Sequence, residues 1–144
     1  MYIDKIENGI VIDHIKAGKG IIIYEHLGLN KVDDKVAFIK NVRSGDLGKK
    51  DILKIETTKF IDISILGLIS PDVTINIIKN GKLQNKKKVD LPKEIVNVIK
   101  CKNPRCITSS ERDLEHIFIL KSVEKKEYRC IYCENKYDDK GKLI

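Results

Sequence analysis

The sequence predicts an α+β fold: a ferredoxin-like sandwich with two helices on an antiparallel sheet, followed by a small all-β zinc-binding domain. Three observations carry this prediction. Strand and helix signals alternate over the first 95 residues, all four cysteines lie in the last 44 residues, and Leu91-Pro92 stands between these two regions. We therefore expect one domain at residues 1–93 and a second at residues 94–144.

Four segments of the first domain have the composition of strands, because isoleucine and valine are concentrated in them. They are Ile10–Ile15, Lys35–Val42, Lys50–Glu56 and the longer stretch Val73–Leu91. The last of these contains Asn80-Gly81, a pair that favours the tight type I′ turn, so it is expected to form a hairpin.

Two segments between these strands predict helices. Gly18–Leu27 is closed by Gly28, and a segment near Asp62–Ile69 is closed by Ser70-Pro71. The first helix has an alternative, since β-branching alone would make Ile21–Leu27 a strand. With both helices in place the order is β-α-β-β-α-β, which is that of a ferredoxin-like sandwich.

The second domain has the pattern of a small antiparallel β module. His116–Val123 and Glu127–Tyr132 predict two strands around a turn at Glu124–Lys126. Upstream of them, Pro92 marks either a helix start or a linker ahead of the first cysteine.

The cysteines form two close pairs with the spacing of metal ligands. Four residues separate Cys101 from Cys106, two separate Cys130 from Cys133, and 23 lie between the pairs. Two such turns joined by a hairpin bring four thiolates around one tetrahedral zinc ion, and a closed site of this kind is structural. A redox pair would need only one Cys-x-x-Cys, and disulfides are rare in cytosolic proteins. These remain alternatives. His116 is expected to be a strand surface residue, not a ligand.

Charge and hydropathy restrict the expected partners. The net charge of +7 is spread over both halves, so there is no basic tail of the kind that binds nucleic acid. The densest lysine cluster, Lys79–Lys88, has no aromatic residue for base stacking and is either a solvated hairpin or a phosphate-contacting patch. No apolar run is long enough to span a membrane and the start lacks a signal peptide, so we expect a soluble cytoplasmic protein.

The first domain has no recognisable catalytic constellation. Ala17–Gly20 resembles a phosphate loop only superficially, because the first glycine and the Lys-Ser/Thr ending are missing. Asp13 and His14 are a candidate pair, but adjacent residues of a regular strand point to opposite faces. We therefore expect no intramolecular dyad, while both side chains can still contact a ligand lying across a strand end.

Four features in the same order along the chain carry a family resemblance. They are the cysteine spacing, Gly9–Ile15 (GIVIDHI), Ser44–Glu56 (SGDLGKKDILKIE), and Ser70–Leu83 (SPDVTINIIKNGKL) with its exit at Leu91-Pro92. Together they resemble the regulatory chain of aspartate carbamoyltransferase over essentially the whole length. The resemblance implies a non-enzyme that binds CTP, ATP and often UTP in its first domain. It also implies that the zinc domain docks on the catalytic chain and that regulatory chains pair through their first domains.

The resemblance implies site residues, carried over position by position. The polar nucleotide-site positions are Asp13, His14, Lys54, Asn76 and Lys86, with Lys54 near the ribose and base and Lys86 on the triphosphate. The other nucleotide-site positions line the pocket or belong to the N-terminal segment: Ile3, Asp4, Ile6, Val11, Ile78 and Leu83. The positions that match contacts with the catalytic chain are Asn103, Arg105 and Glu134.

Some of these positions depart from the family pattern or have a second explanation. Arg105 replaces an asparagine, and Asn103 is equally explained by turn chemistry. Gly81 replaces the tyrosine often found at the hairpin tip, which bears on effector preference. Lys86 is followed by two more lysines, so its assignment can slip by one residue.

The expected function is therefore that of a non-catalytic allosteric subunit of a hetero-oligomer in pyrimidine biosynthesis. It would carry one zinc ion and bind CTP and ATP, with UTP and Mg²⁺ as further candidates. Neither a membrane nor a nucleic acid is an expected partner. The alternative is a zinc-ribbon nucleic-acid-binding protein, because basic four-cysteine modules often bind nucleic acid and then lose affinity steeply with salt.

Overall fold

The computed structural model describes residues 6–45 and 48–137 of the chain. The chain divides into two units, Met1–Asp90 and Leu91–Ile144. The predicted fold class is confirmed, since an antiparallel sheet with two helices is followed by a small all-β sheet and a cluster of four cysteines. Within the described ranges, no helix has the length and apolar character needed to cross a membrane.

Five strands form the sheet of the first unit: β1 (Gly9–Lys16), β2 (Lys35–Ser44), β3 (Gly48–Glu56), β4 (Thr74–Lys79) and β5 (Lys82–Lys88). They are antiparallel to their neighbours and lie in the order β2-β3-β1-β4-β5, so β1 pairs with both β3 and β4. At the β4–β5 turn, Asn80 and Gly81 have φ values of 51° and 75°, the positive values that a type I′ turn requires.

The helices differ more from the prediction than the strands do. α1 (Gly20–His26) is helical in spite of its β-branched residues. α2 is a single turn, Leu66–Ile69, and does not reach back towards Asp62 as expected. The Asp62 carboxylate instead accepts a hydrogen bond from the Ser64 amide at 3.0 Å, and this local turn competes with the helix.

The core of the first unit lies on one face of the sheet, where both helices pack. Alternate strand residues project into it, among them Ile12, Leu53 and Ile75, all fully buried. Ile23 of α1 and Leu66 of α2 are buried in the same cluster. Because side chains alternate along a strand, the intervening residues lie on the other face, which carries no helix within the described residues. This second face is termed the open face.

A buried carboxylate ties three backbone segments to one end of this core. Asp51 on β3 is 1% exposed, and it accepts hydrogen bonds from the amides of Gly18, Gly20 and Asn41 at 3.1, 3.0 and 3.0 Å. Asp51 stands two residues before Leu53 in the apolar alternation and so faces the core, a role that was not predicted from the sequence. The Gly18 and Gly20 amides are occupied by this carboxylate, so they are not arranged as a phosphate loop.

Three strands form the antiparallel sheet of the second unit: β6 (Glu94–Val96), β7 (Ile117–Ser122) and β8 (Glu127–Cys130). Of the two alternatives for Pro92, a helix start or a linker, the helix start is wrong. Ile95 is buried and pairs with Phe118, so this segment is an edge strand that satisfies its backbone groups on β7. The turn expected at Glu124–Lys126 joins β7 and β8, where the Lys126 amide donates to the Val123 carbonyl at 3.2 Å.

Tyr128 is the largest fully buried side chain in the part of the second unit that the structure describes. Its hydroxyl donates a hydrogen bond to the Pro92 carbonyl at 2.6 Å, and burial raises the pKa of Tyr128 to about 12. Among the described residues of this unit, the other buried apolar side chains besides three of the cysteines are Ile95, Ile99 and Phe118. So few apolar residues make a small core, and small domains of this kind depend on a staple such as a metal.

Asp51→Asn should destabilise the first unit by about 2 kcal/mol, because an amide nitrogen would face one of three backbone donors that now share a carboxylate. The measurement is chemical denaturation of the full chain, combined with hydrogen exchange at the Gly18, Gly20 and Asn41 amides. The control is Asp33→Asn, an exposed position. Unchanged protection of all three amides in Asp51→Asn would contradict this account.

Candidate functional site

One lateral row of the sheet carries four of the predicted nucleotide-site residues. Val11 on β1 lies opposite Lys54 on β3 and Asn76 on β4, and Asn76 lies opposite Lys86 on β5. Directly opposed residues of antiparallel strands project from the same face. Since Ile12 and Leu53 face the core, this row lies on the open face. Residues far apart in the sequence are thus brought side by side.

The register also distinguishes the consecutive lysines of β5. Lys86 opposes Asn76 and shares the open face with it, whereas Lys87 opposes the core residue Ile75. Lys88 returns to the open face, opposite Thr74. A side-chain hydrogen bond helps to fix the row: the side-chain amide of Asn76 donates to the Val11 backbone carbonyl at 3.4 Å.

Two predicted pocket-lining residues, Ile78 and Leu83, lie towards the hairpin end of the same face. Ile78 opposes Leu83, which is 57% exposed. Ile6 is half-buried. The carbonyl of its neighbour Glu7 accepts a hydrogen bond from the Gly81 amide at 2.8 Å, which holds this segment beside the hairpin tip. Two predicted residues lie outside the described part of the chain: Ile3 and Asp4.

β1 bulges at Asp13 and His14, so the expectation that their side chains point apart is wrong. The pairing with β3 shifts register between Ile12 and Ile15, and His14 has a φ of 57°. Strict alternation of faces holds only for a regular strand. The His14 amide donates to the Asp13 carboxylate at 2.6 Å, and the imidazole Nδ1 lies 4.0 Å from it. The two side chains therefore share one end of the strand without a ring-to-carboxylate hydrogen bond.

Asp13 has a partner that sequence analysis missed. The Lys50 ammonium lies 3.0 Å from the Asp13 carboxylate. Burial acts to raise the pKa of Asp13, but the hydrogen bonds from Lys50 and from the His14 amide outweigh it and hold the pKa below its usual value. Which of the neighbouring lysines at 49 and 50 reaches Asp13 depends on the bulge, and a bulge has no clear sequence signal.

The four cysteine sulfurs converge on one point in the second unit. Cys101 and Cys133 have their sulfurs 3.6 Å apart, Cys106 and Cys130 3.8 Å, and all four lie within 4.8 Å of one another. A tetrahedral zinc ion with Zn–S bonds of about 2.3 Å needs sulfurs roughly 3.8 Å apart, so the donor set fits zinc. A disulfide needs about 2.05 Å, and all four cysteines are free thiols.

Acid–base properties of the thiols fit a cation at their centre. Burial raises the pKa of Cys101 to about 12 and also raises the pKa of Cys130. For Cys133 the effect of burial is outweighed by hydrogen bonds from the Asn103 side chain and the Asn135 amide, which lower its pKa to about 7. Cys101 and Cys130 therefore disfavour an uncompensated negative charge, and a metal that binds them must displace their protons.

His116 is not part of the sulfur cluster. Its Nδ1 accepts the backbone amide of Cys101 at 3.4 Å, and the ligand atoms that converge within the described residues all belong to cysteines. The imidazole therefore supports a ligand turn from outside.

The predicted docking residues lie on the two cysteine turns. The Asn103 side chain accepts the Arg105 amide at 3.1 Å, which is the turn chemistry that competes with a docking role. Arg105 and Glu134 are exposed. Glu134 has a φ of 65°, and its carbonyl accepts a hydrogen bond from Arg129 at 3.0 Å, which holds the second turn in place.

Comparison with known proteins accounts for both units. The family model "Aspartate carbamoyltransferase regulatory chain, allosteric domain" matches residues 1–90, and the model for the metal binding domain of the same chain matches residues 93–141. The aspartate carbamoyltransferase regulatory chain of Clostridium botulinum (strain Hall) is 54% identical over 135 residues, covering 94% of this chain and 92% of the relative.

Two further relatives carry the same name. The one from Clostridium tetani is 52% identical over 136 residues, covering 94% of both chains. The one from Bifidobacterium longum is 41% identical over 143 residues, covering 99% of this chain and all of the relative. With family models across both units and relatives of this identity over nearly the full length, the chain belongs to the aspartate carbamoyltransferase regulatory chain family.

Proposed function

We propose that this chain is the non-catalytic subunit of an aspartate carbamoyltransferase holoenzyme in pyrimidine biosynthesis, and that it binds CTP and ATP on the open face of its sheet. The observation that carries the nucleotide proposal is the single row formed by Lys54, Val11, Asn76 and Lys86. Two ammonium groups flank an amide on one surface. Lysines supply point charges for a triphosphate, and the amide and nearby backbone can hydrogen-bond a base.

The remaining predicted residues complete this proposed site. Asp13 and His14 lie further along β1 on one side of the row, and the apolar Ile6, Ile78 and Leu83 lie on the other side, towards the hairpin. UTP together with Mg²⁺ is a further candidate effector. The site contains no phosphate loop, so we propose that electrostatic attraction and strand-edge hydrogen bonds provide the affinity.

The proposed mechanism is a coupling between this site and the catalytic subunits. A nucleotide biases the holoenzyme only if it binds one quaternary state better than the other. Allosteric couplings of this kind are typically about 1–3 kcal/mol. In this chain the first unit continues directly into the second at Asp90-Leu91, so a shift in the sheet has a covalent route to the metal-binding domain.

We propose that Cys101, Cys106, Cys130 and Cys133 hold one structural zinc ion per chain. Four thiolates leave no open coordination position, so the ion would shape the fold rather than activate water. Structural zinc contributes on the order of 10–16 kcal/mol of apparent binding free energy in small domains. That magnitude is large compared with what the small apolar core around Tyr128 can supply.

Two interfaces follow from this proposal. Asn103, Arg105 and Glu134, on the cysteine turns, would dock on the catalytic chain. Regulatory chains would pair through their first units, in which β2 is an edge strand of the described sheet. The assembly would be a cytoplasmic hetero-oligomer.

Zinc analysis of the full chain should give one ion per chain. Cys130→Ser should lose most of it and unfold the second unit, because three thiolates leave the metal without its closed tetrahedral shell. The measurement is metal content together with the circular dichroism of the purified chain. Ile131→Ser, between the two cysteines of the second pair, is the control and should keep the ion. A fully loaded and folded Cys130→Ser chain would disprove the four-thiolate site.

Lys86→Ala should weaken CTP binding about tenfold, equivalent to about 1.4 kcal/mol, because it removes one triphosphate contact. Isothermal calorimetry at physiological salt measures this. Lys87→Ala, with the same change of charge on the opposite face of β5, should bind CTP within about twofold of the unchanged chain. Equal losses in both variants would refute a specific role for Lys86. No heat with either CTP or ATP, with salt-sensitive binding to an oligonucleotide, would favour the zinc-ribbon alternative.

Glu134→Gln should weaken association with the catalytic chain by about tenfold, because it removes a charge from the docking turn. Co-purification and analytical ultracentrifugation with the catalytic chain measure the effect. Glu124→Gln makes the same change at an exposed position of the β7–β8 turn and should have no effect. If both variants assemble like the unchanged chain, Glu134 is not a docking residue.

A further inference from the structure

Thr108 forms a direct hydrogen bond with one of the four sulfurs. Its Oγ1 lies 3.1 Å from the Cys106 Sγ, and both residues are buried, with 6% and 2% exposed. No sequence pattern described above predicts a role for this residue. We propose that Thr108 is a positioning residue that stabilises the Cys106 thiolate and thereby tightens metal binding, an inference that rests on the proposed zinc site.

The chemistry of a bound metal determines the direction of this hydrogen bond. A metal-bound cysteine has lost its proton, so its sulfur can only accept, and the threonine hydroxyl must donate. Four thiolates carry more negative charge than a divalent ion compensates. Each donor aimed at a sulfur offsets part of that excess, and it does so more strongly where water is absent. Outer contacts to metal ligands typically change metal affinity by about 10–100-fold.

Local backbone structure holds the Thr108 hydroxyl beside its sulfur. Cys106 leads into a 3₁₀ turn at Ile107–Ser109, and the Ser109 amide donates to the Cys106 carbonyl at 2.9 Å. The hydroxyls of Ser109 and Ser110 donate to backbone carbonyls. Of these three consecutive hydroxyl residues, Thr108 is therefore the one whose hydroxyl bonds to a sulfur.

The Cys106 sulfur receives a different kind of donor from that of Cys133. The Cys133 sulfur accepts hydrogen bonds from the Asn103 side chain and the Asn135 backbone amide. These donors come from the ligand turns, so any sequence that forms the turns would supply some of them. Thr108 instead comes from the turn that follows the first pair, and a single hydroxyl determines whether the contact exists.

The test compares zinc retention in variants of the full chain. Thr108→Val replaces the hydroxyl with a methyl group of similar size and should bind zinc about tenfold more weakly in competition with a chromogenic chelator. Thr108→Ser keeps the hydroxyl and should stay within about threefold of the unchanged chain. Ser110→Ala, which removes an exposed hydroxyl that bonds to a carbonyl, should have no effect.

A spectroscopic signal separates a contact with sulfur from simple packing. In the cobalt-substituted chain, loss of a donor raises the energy of the sulfur electrons, so the thiolate-to-cobalt absorption band of Thr108→Val should move to longer wavelength. Thr108→Ser should keep the band of the unchanged chain. A band and an affinity in Thr108→Val equal to those of the unchanged chain would overturn the proposal.

Two further outcomes are also decisive. If Thr108→Val cannot be isolated in a folded form, Thr108→Ala and Thr108→Ser replace it, since both lack the methyl group and only serine has the hydroxyl. Weaker zinc binding by Thr108→Ala than by Thr108→Ser supports the inference, and equal binding by the two variants overturns it. If the unchanged chain itself takes up no zinc, the proposed zinc site fails, which is a result distinct from failure of the Thr108 contact.

Discussion

The pairing register of β1 is the constraint on which the first unit depends. β1 lies between β3 and β4, so its register determines which residues of all three strands share a face. A slip of one residue would turn Ile12 out of the core and Val11 into it. Gly9 permits this register at its start, because a side-chain carbon there would collide with the Ile55 carbonyl oxygen. Packing and the candidate nucleotide row are therefore two consequences of one hydrogen-bond pattern.

The two units are held together by different means. In the first, an extensive isoleucine core supplies most of the burial, and Asp51 secures the backbone after β1 and at the bulge of β2. In the second, few apolar side chains surround Tyr128, and the four sulfurs occupy much of the interior. This contrast has a functional consequence. On the proposed function, the exposed turns with Arg105 and Glu134 would form only when the four thiolates are coordinated, so the proposed docking would be linked to metal binding.

Secondary structure was predictable where local signals agreed with tertiary packing. The β4–β5 hairpin has a strong turn signal at Asn80-Gly81, and its strands lie close to the expected positions. The length of α2 was overestimated because the Asp62 side chain forms a hydrogen bond with the nearby Ser64 amide. The segment after Pro92 is a strand because its backbone pairs with β7. The Asp13-His14 geometry was mispredicted since a bulge depends on how two strands fit, and not on either strand alone.

The sequence by itself determined the fold class, the four cysteines that converge in the second unit and the family, since each rests on spacing and composition along the chain. The cysteine pairs need no tertiary knowledge, because ligands on tight turns are recognised by their separation. Only the tertiary structure decided that Lys86 and not Lys87 shares a face with Asn76, that Lys50 pairs with Asp13, and that the Thr108 hydroxyl meets a sulfur. These depend on which strands are neighbours, in which register, and on local backbone angles, and none of those quantities is local in the sequence.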